Sequence, residues 1–307
     1  MIGLSLGNNC DVSFRQYRLS PLYTNLKPVE IPTKELNVGS VEECVTACYN
    51  DVMCTGFLFS GDHGVCSVYR KIFHTMTFVN KMGTQAYERL NSFPSDCYDV
   101  MKNGYATSSV YTVQPTDNGS AIDVYCELSL DDGWLVIQRR TDGSEEFYRT
   151  WNEYKDGFGN LTNEFWLGNS QIHRITSQGL YDLRIDLEGF EGNNRFALYK
   201  NFSVASEQDF FRLSLGEYSG NAGDGLGHHR GALFSAKDKD LDSNSYVCAQ
   251  RSKGSWWYTQ ICHKSNLNGQ YLRGTHSSFG DGVNWKSWLG NYYSLKRTVM
   301  KIRPMQF

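Results

Sequence analysis

Gly133-Trp134-Leu135-Val136-Ile137-Gln138-Arg139-Arg140 is a short apolar run opened by glycine and closed by polar side chains. A run of this length and composition reads as a buried strand. Residues 110–113 and 123–128 before it read as strands too, and 180–187 after it alternates apolar and polar with period two. Beyond about residue 216 the pattern changes. Gly, Asn, Asp and Ser dominate, with Trp and Tyr interleaved. A long irregular region inside a compact domain is usually functional, and something must hold it in shape.

Composition bounds the class of protein. The 307 residues suffice for two domains, or one large one. With 40% apolar and 21% charged residues the chain folds into a core instead of staying disordered. Thirty Lys and Arg against 33 Asp and Glu leave a net charge of -3, which argues against nucleic acid and against anionic lipid as partners. No apolar run reaches the roughly 18–20 residues of a membrane span. Met1-Ile2-Gly3-Leu4-Ser5-Leu6 is too short for a secretory h-region and lacks a basic n-region. The cysteines nevertheless point to an oxidising compartment: there are nine and no CxxC pair. Three Asn-x-Ser/Thr acceptors, at Asn118, Asn160 and Asn201, agree with an extracellular, secreted protein.

Five of the nine cysteines precede residue 67, and this density shift marks a small module at 10–88, a linker at 89–94 and a larger domain at 95–307. In the module, Ser40-Val41-Glu42-Glu43 reads as a capping box opening a helix over 41–49. Cys44 and Cys48 then share one helix face at i and i+4. Residues 36–38 and 56–59 read as flanking strands. Pairing Cys44 with Cys66 and Cys48 with Cys54 would staple helix to sheet, although spacing by itself leaves the connectivity open. Cys10 is the odd cysteine, either free or the seat of an interchain bond that would make an oligomer. The expected fold class is α+β.

One helix carrying two cysteines over a small sheet resembles the PAN/apple family, without the outer bridge that usually ties that module's ends. The larger domain resembles the fibrinogen C-terminal domain. The 133–140 run carries the likeness, with Asp142-Gly143-Ser144, Glu164-Phe165-Trp166-Leu167-Gly168-Asn169 and Tyr218-Ser219-Gly220-Asn221-Ala222-Gly223-Asp224. Trp256-Trp257-Tyr258, Cys262-His263, Asn284-Trp285-Lys286-Ser287-Trp288 and Met300-Lys301-Ile302-Arg303-Pro304 extend it to the end. The resemblance implies bridges Cys97–Cys126 and Cys248–Cys262, a mixed or antiparallel sheet, and a loop-rich subdomain for calcium and ligand. Its members include ficolins, tachylectins, angiopoietins and tenascins, so the fold does not fix the function.

Asp238, Asp240 and Asp242 stand at alternate positions in Asp238-Lys239-Asp240-Leu241-Asp242-Ser243-Asn244-Ser245-Tyr246. Calcium wants six to eight oxygens, which such a loop can wrap. This is no EF-hand, since the sixth residue is Ser243 and the twelfth Ala249. The resemblance assigns side-chain ligation of Ca2+ to Asp240 and Asp242 and carbonyl ligation to Asn244 and Tyr246, with Asp238 just outside. It also implies a ligand pocket at Cys262, His263, Phe279, Gly280 and Tyr292, near the aromatic run 256–258, in which rings receive an acetyl methyl and backbone N–H groups hold its oxygen. The Ile261–Cys262 bond is expected to be cis. The chain departs from acetyl-binding members at Phe279, where Tyr is common, and at Ser252, also often Tyr. One extra residue lies between Trp257 and Cys262. Arg251 and Ser252 stand where fibrin-knob recognition needs a Gln and an acid.

No G-x-S-x-G, H-E-x-x-H or P-loop occurs, which argues against an enzyme. Gly223–Gly227 follows no strand–helix signal, and His228-His229 reads as a surface turn. Two readings lead. One is a secreted calcium-dependent lectin for acetylated or other glycans in innate recognition or adhesion. The other is a non-lectin ligand or matrix adhesion factor that binds a cell-surface receptor protein.

Overall fold

The computed structural model describes residues 17–19, 25–29, 31–50, 54, 56–69, 78–80, 82–89, 94–117 and 119–305. Cys10, Asn118 and residues 90–93 of the expected linker therefore lie outside the described residues. Two compact units divide between residues 93 and 94.

The first unit contains β1 (Tyr17–Leu19), β2 (Lys34–Asn37), α1 (Val41–Tyr49), β3 (Gly56–Ser60), β4 (Val65–Tyr69) and β5 (Thr84–Arg89). The strands form one antiparallel sheet in the order β1-β5-β3-β4-β2. Ser40 caps α1 by accepting the Glu43 N–H. The Glu43 carboxylate reaches back to the Gly39 N–H at 2.8 Å, one residue earlier than a capping box requires. Disulfides Cys44–Cys66 and Cys48–Cys54 fasten α1 to the sheet side. Around them Val45, Phe57 and Val68 are buried, giving a core too small to be comfortable without its two bridges.

The second unit is built on α2 (Cys97–Lys102), β6 (Ser109–Val113), β7 (Ile122–Leu128), β8 (Gly133–Arg140), α3 (Trp151–Asp156), α4 (Asn169–Thr176), β9 (Tyr181–Glu188), β10 (Asn194–Val204) and β11 (Arg297–Pro304). The antiparallel order β6-β7-β8-β11-β9-β10 puts the last strand of the chain in the middle. Ile302 of β11 faces Leu135 on one side and Leu183 on the other. Cys97–Cys126 ties α2 to β7.

All eight residues of β8 are buried, which explains its lack of alternation. Its polar end has a structural task. Gln138 Nε2 donates to the Leu267 carbonyl at 3.0 Å, and Arg140 donates to the carbonyls of Leu267 and Gly269 at 3.1 and 2.8 Å. Arg140 also lies over Phe147 and 3.7 Å from the buried Glu164, whose carboxylate accepts the N–H groups of Thr141, Asp142 and Gly143. The central strand thus grips the irregular region that follows the sheet.

Candidate functional site

Between residues 217 and 296 the secondary structure consists of pieces of two to four residues, so side chains take over the task of satisfying the backbone. Asn266 is the hub. Its Nδ2 lies 2.8, 3.3 and 3.4 Å from the carbonyls of Ser252, Gly282 and Gly280, and its Oδ1 accepts the Tyr258 hydroxyl. His229, expected at a surface turn, is instead fully buried. Its Nδ1–H donates to the Trp257 carbonyl at 2.7 Å while Nε2 accepts the N–H groups of Lys264 and Ser265. Burial lowers its pKa to about 3, so it stays neutral and structural.

Above this floor lies the acidic loop. The Asp242 carboxylate accepts the N–H groups of Asn244 at 2.8 Å and Cys248 at 3.1 Å, and Asp240 accepts the Asp242 N–H at 3.3 Å. The Asn244 side chain accepts the Tyr246 N–H and donates to the Gln260 carbonyl. Asp238 is turned to another use, accepting the Trp151 N–H at the start of α3. Asp242 is half-buried, and burial together with the neighbouring Asp240 pushes its pKa up to about 6. Among the described residues no lysine or arginine pairs with either acid, and no third His, Cys, Asp or Glu joins them. Two carboxylates without a cationic partner leave oxygens of the kind a hard cation takes.

The loop is mechanically linked to a cleft of about 430 Å³ lined by Asn244, Arg251, Ser252, Ile261, Cys262, His263, Phe279, Lys286 and Asn291. Asp242 holds the Cys248 N–H, and Cys248 is bonded to Cys262 in the cleft wall. His263 is 8% exposed, and its Nε2–H donates to the Gly280 carbonyl at 2.8 Å. That acceptor fixes the tautomer and leaves Nδ1 as an acceptor without a partner. Burial first, then the charges of Lys286 and Arg251, lower its pKa to about 4. Gly280 has φ 71, and a Cβ there would come within 3.1 Å of the imidazole, so glycine permits this approach.

The structure brings Cys262, His263 and Phe279 into the cleft, with Gly280 behind the imidazole. Tyr292 does not line the cleft but stands against Phe279, ring centroids 5.5 Å apart. Trp256, Trp257 and Tyr258 are core residues 0–1% exposed, because their rings pack into the sheet-side aromatic cluster with Phe234 and Trp166. Two expectations change. The Ile261–Cys262 bond is trans, with Cys262 at φ 60. The backbone donors are occupied: Cys262 N–H binds the Thr259 carbonyl at 2.8 Å, and His263 N–H closes a tight turn on the Ile261 carbonyl at 2.9 Å. Lys286, Asn291 and Ile261 escaped the sequence reading. Lys286 opens a one-turn helix with Asn291 just beyond it, Ile261 precedes Cys262, and no local spacing marks them as cleft residues.

The unit thus combines a disulfide-pinned cleft, an acid loop and a sheet with the C-terminal strand at its centre. Comparison with known proteins places it. Residues 93–305 match the family of the C-terminal globular domain of fibrinogen beta and gamma chains, and residues 16–97 match the PAN domain. The chain belongs to the fibrinogen C-terminal domain family and carries a PAN domain ahead of that domain. Fibrinogen C domain-containing protein 1 of Xenopus tropicalis is 49% identical over 221 residues, 70% of this chain and 48% of that protein. The chain thus spans about half the length of that relative. Techylectin-5A of Tachypleus tridentatus is 45% identical over 220 residues, 70% of this chain and 75% of the lectin. The fibrinogen-like globe domain of human ANGPTL2 superposes with TM-score 0.67 at 44% identity, covering 68% of this chain and 98% of that domain. No helix among the described residues is long and apolar enough to cross a membrane.

Proposed function

We propose that this protein is a non-enzymatic, secreted, calcium-dependent recognition protein of lectin type whose ligands are acetylated glycans. The carrying observation is the path Asp242–Cys248–Cys262–His263, which joins an oxygen-rich acid loop to the wall of the cleft. Ca2+ held by Asp240, Asp242 and the carbonyls of Asn244 and Tyr246 would neutralise the paired acids and stiffen that path. Phe279 and Ile261 give an acetyl methyl an apolar wall in the cleft. Asn160 and Asn201 are exposed, as N-glycosylation requires, and Cys10 is the candidate for an interchain bond. Linked copies would give a weak sugar site avidity.

The test is retention on N-acetylglucosamine resin. Retention in calcium, elution by chelator and loss in Asp240→Ala are expected. No retention in calcium sinks the reading.

A second reading has its own observation. Tyr246, Ile261, Phe279 and Tyr292 are 53–63% exposed around the cleft, an apolar rim suited to a protein partner. Similarity to an angiopoietin-like globe domain supports a receptor-binding or adhesion role. Receptor capture indifferent to chelator and to free sugar would favour it.

A further inference from the structure

One face of the central sheet carries a second groove, of about 390 Å³, which shares no residue with the cleft. Glu127, Arg184, Asp186, Arg195, Phe196 and Arg297 line it, from strands β7, β9, β10 and β11. The register explains part of this gathering. Asp186 stands opposite Phe196 of β10 on one side and Val299 of β11 on the other, and directly opposed residues share a face. Both carboxylates of the groove are already matched within the chain. The Lys301 ammonium reaches Glu127 and lies 2.9 Å from Asp186, while Arg184 Nε donates to Asp186 at 2.8 Å. The Phe196 ring centroid, 4.5 Å from the Arg184 guanidinium, helps to hold that side chain. Arg195 and Arg297 are placed differently. Both are exposed, and among the described residues neither has a carboxylate partner. Arg195 donates to the Asn194 carbonyl at 2.9 Å and lies 5.8 Å from the Trp288 ring centroid. With Lys301, the groove sets four cations against two acids, in a chain whose net charge is -3, so the excess is local.

We infer that this groove is a docking site for an acidic segment of a partner protein, whose Asp or Glu side chains pair with Arg195 and Arg297. A guanidinium offers a carboxylate two parallel N–H donors, and charge-assisted bonds of that kind are the strong ones. The partly buried Phe196 gives an apolar residue between the acids a surface to pack on. The mixed lining favours a peptide over a sulfated glycan chain. A chain of uniform negative charge would have to pass Glu127 and Asp186, whereas a peptide can set an apolar or amide group there. The inference is independent of the reading of the cleft, since it needs neither Ca2+ nor a sugar. Two solvent-exposed charge contacts are together worth about tenfold in affinity.

The experiment is fluorescence anisotropy of the full chain at low salt with a fluorescein-labelled peptide of alternating Glu and Leu, compared with its Gln–Leu counterpart. The Glu peptide should bind about tenfold more tightly, and the ratio should shrink as salt rises. In the double variant Arg195→Ala/Arg297→Ala the ratio should fall to about one. The unfolding midpoint should stay unchanged, because both side chains are exposed and outside the ion pairs of the described residues. The milder Arg297→Gln should lower the ratio about threefold. Chelator and free N-acetylglucosamine should leave peptide binding as it is, which separates this groove from the cleft. Amide NMR shifts caused by the peptide should fall in β9, β10 and β11. Equal binding of the two peptides by the unaltered chain overturns the inference. A ratio that survives the double variant also overturns it, because the preference would then arise elsewhere. Dextran sulfate bound through the same two arginines, with no binding of the Glu peptide, overturns it in favour of a polyanionic glycan.

Discussion

The sheet and the irregular region of the fibrinogen-like unit are adjacent in one chain but held by different chemistry. In the sheet, β8, β9 and β11 pair in long ladders and bury Leu135, Leu183, Ile185, Met300 and Ile302 almost completely. Between residues 217 and 296 the buried set includes His229, Ser255, His263, Asn266, Asn268 and Asn284. There, side-chain amides and imidazoles take over the hydrogen bonds that ladders make in the sheet. The first kind of region is stable through apolar area and tolerates change of solution conditions. The second depends on every polar partner, on one disulfide and on the charge state of its loop. A region built that way can couple its shape to a cation, which a β-ladder cannot easily do.

The comparison can be broken by experiment. The largest effect belongs to Ile185→Ala, which should cost about 4 kcal/mol by cavity formation, equally with calcium and with chelator. Denaturant unfolding in both conditions checks it, and a calcium-dependent cost would show that the two regions are not separate in this respect. Next, Asn266→Ala should cost about 3 kcal/mol, since the carbonyls of Ser252 and Gly282 lose the Asn266 amide, while the Gly280 carbonyl keeps His263 and the Tyr258 hydroxyl keeps the Gly254 carbonyl. Hydrogen exchange should show the opening confined to residues after about 217, while the β8, β9 and β11 amides stay protected.

Calcium should stabilise the unit by about 2.7 kcal/mol at a hundred times its dissociation constant, raising Tm by about 5–11 °C. Asp242→Asn should abolish that shift. A full shift retained in the variant would place the cation elsewhere. The smallest effect per residue is acid lability. His229 and His263 are both held neutral, with folded pKa values of about 3 and about 4 against an ordinary 6.5. The unfolded chain therefore binds more protons, and the stability these residues give is complete above pH 6.5 and drains away as pH falls. Each should cost about 2 kcal/mol by pH 5. Unfolding midpoints at pH 7 and pH 5 measure this, and the pH sensitivity should fall by about half in His229→Gln.

Much of the scaffold was legible before any coordinates. Strand β8 showed itself as an apolar run, β9 by its alternation, and α1 by Ser40 and its two cysteines. Local pattern suffices there because burial of one face or two leaves a period in the chain. The bounds of the irregular region were legible too, as the place where periodicity stops. Within it the reading was weaker. The aromatic run 256–258 could not be divided between pocket wall and core, because aromatic side chains signal the same way whether they line a cleft or fill an interior; all three are core. His228-His229 looked like a turn, although His229 is a buried strut whose partners, Trp257, Lys264 and Ser265, lie about thirty residues away.

The sequence by itself determined the two-unit order, the family, the sheet strands and the acid loop, since each rests on residues close together in the chain. Only the tertiary structure decided which residues meet at the cleft. Arg251, His263, Phe279, Lys286 and Asn291 converge from separate loops, and their arrangement follows from Asn266, the Cys248–Cys262 bridge and the grip of Gln138 and Arg140. It also decided that the Cys262 and His263 amides are already spent on the Thr259 and Ile261 carbonyls. Charge and hydrogen-bond supply at a site are sums over distant parts of the chain, and no local pattern records such a sum.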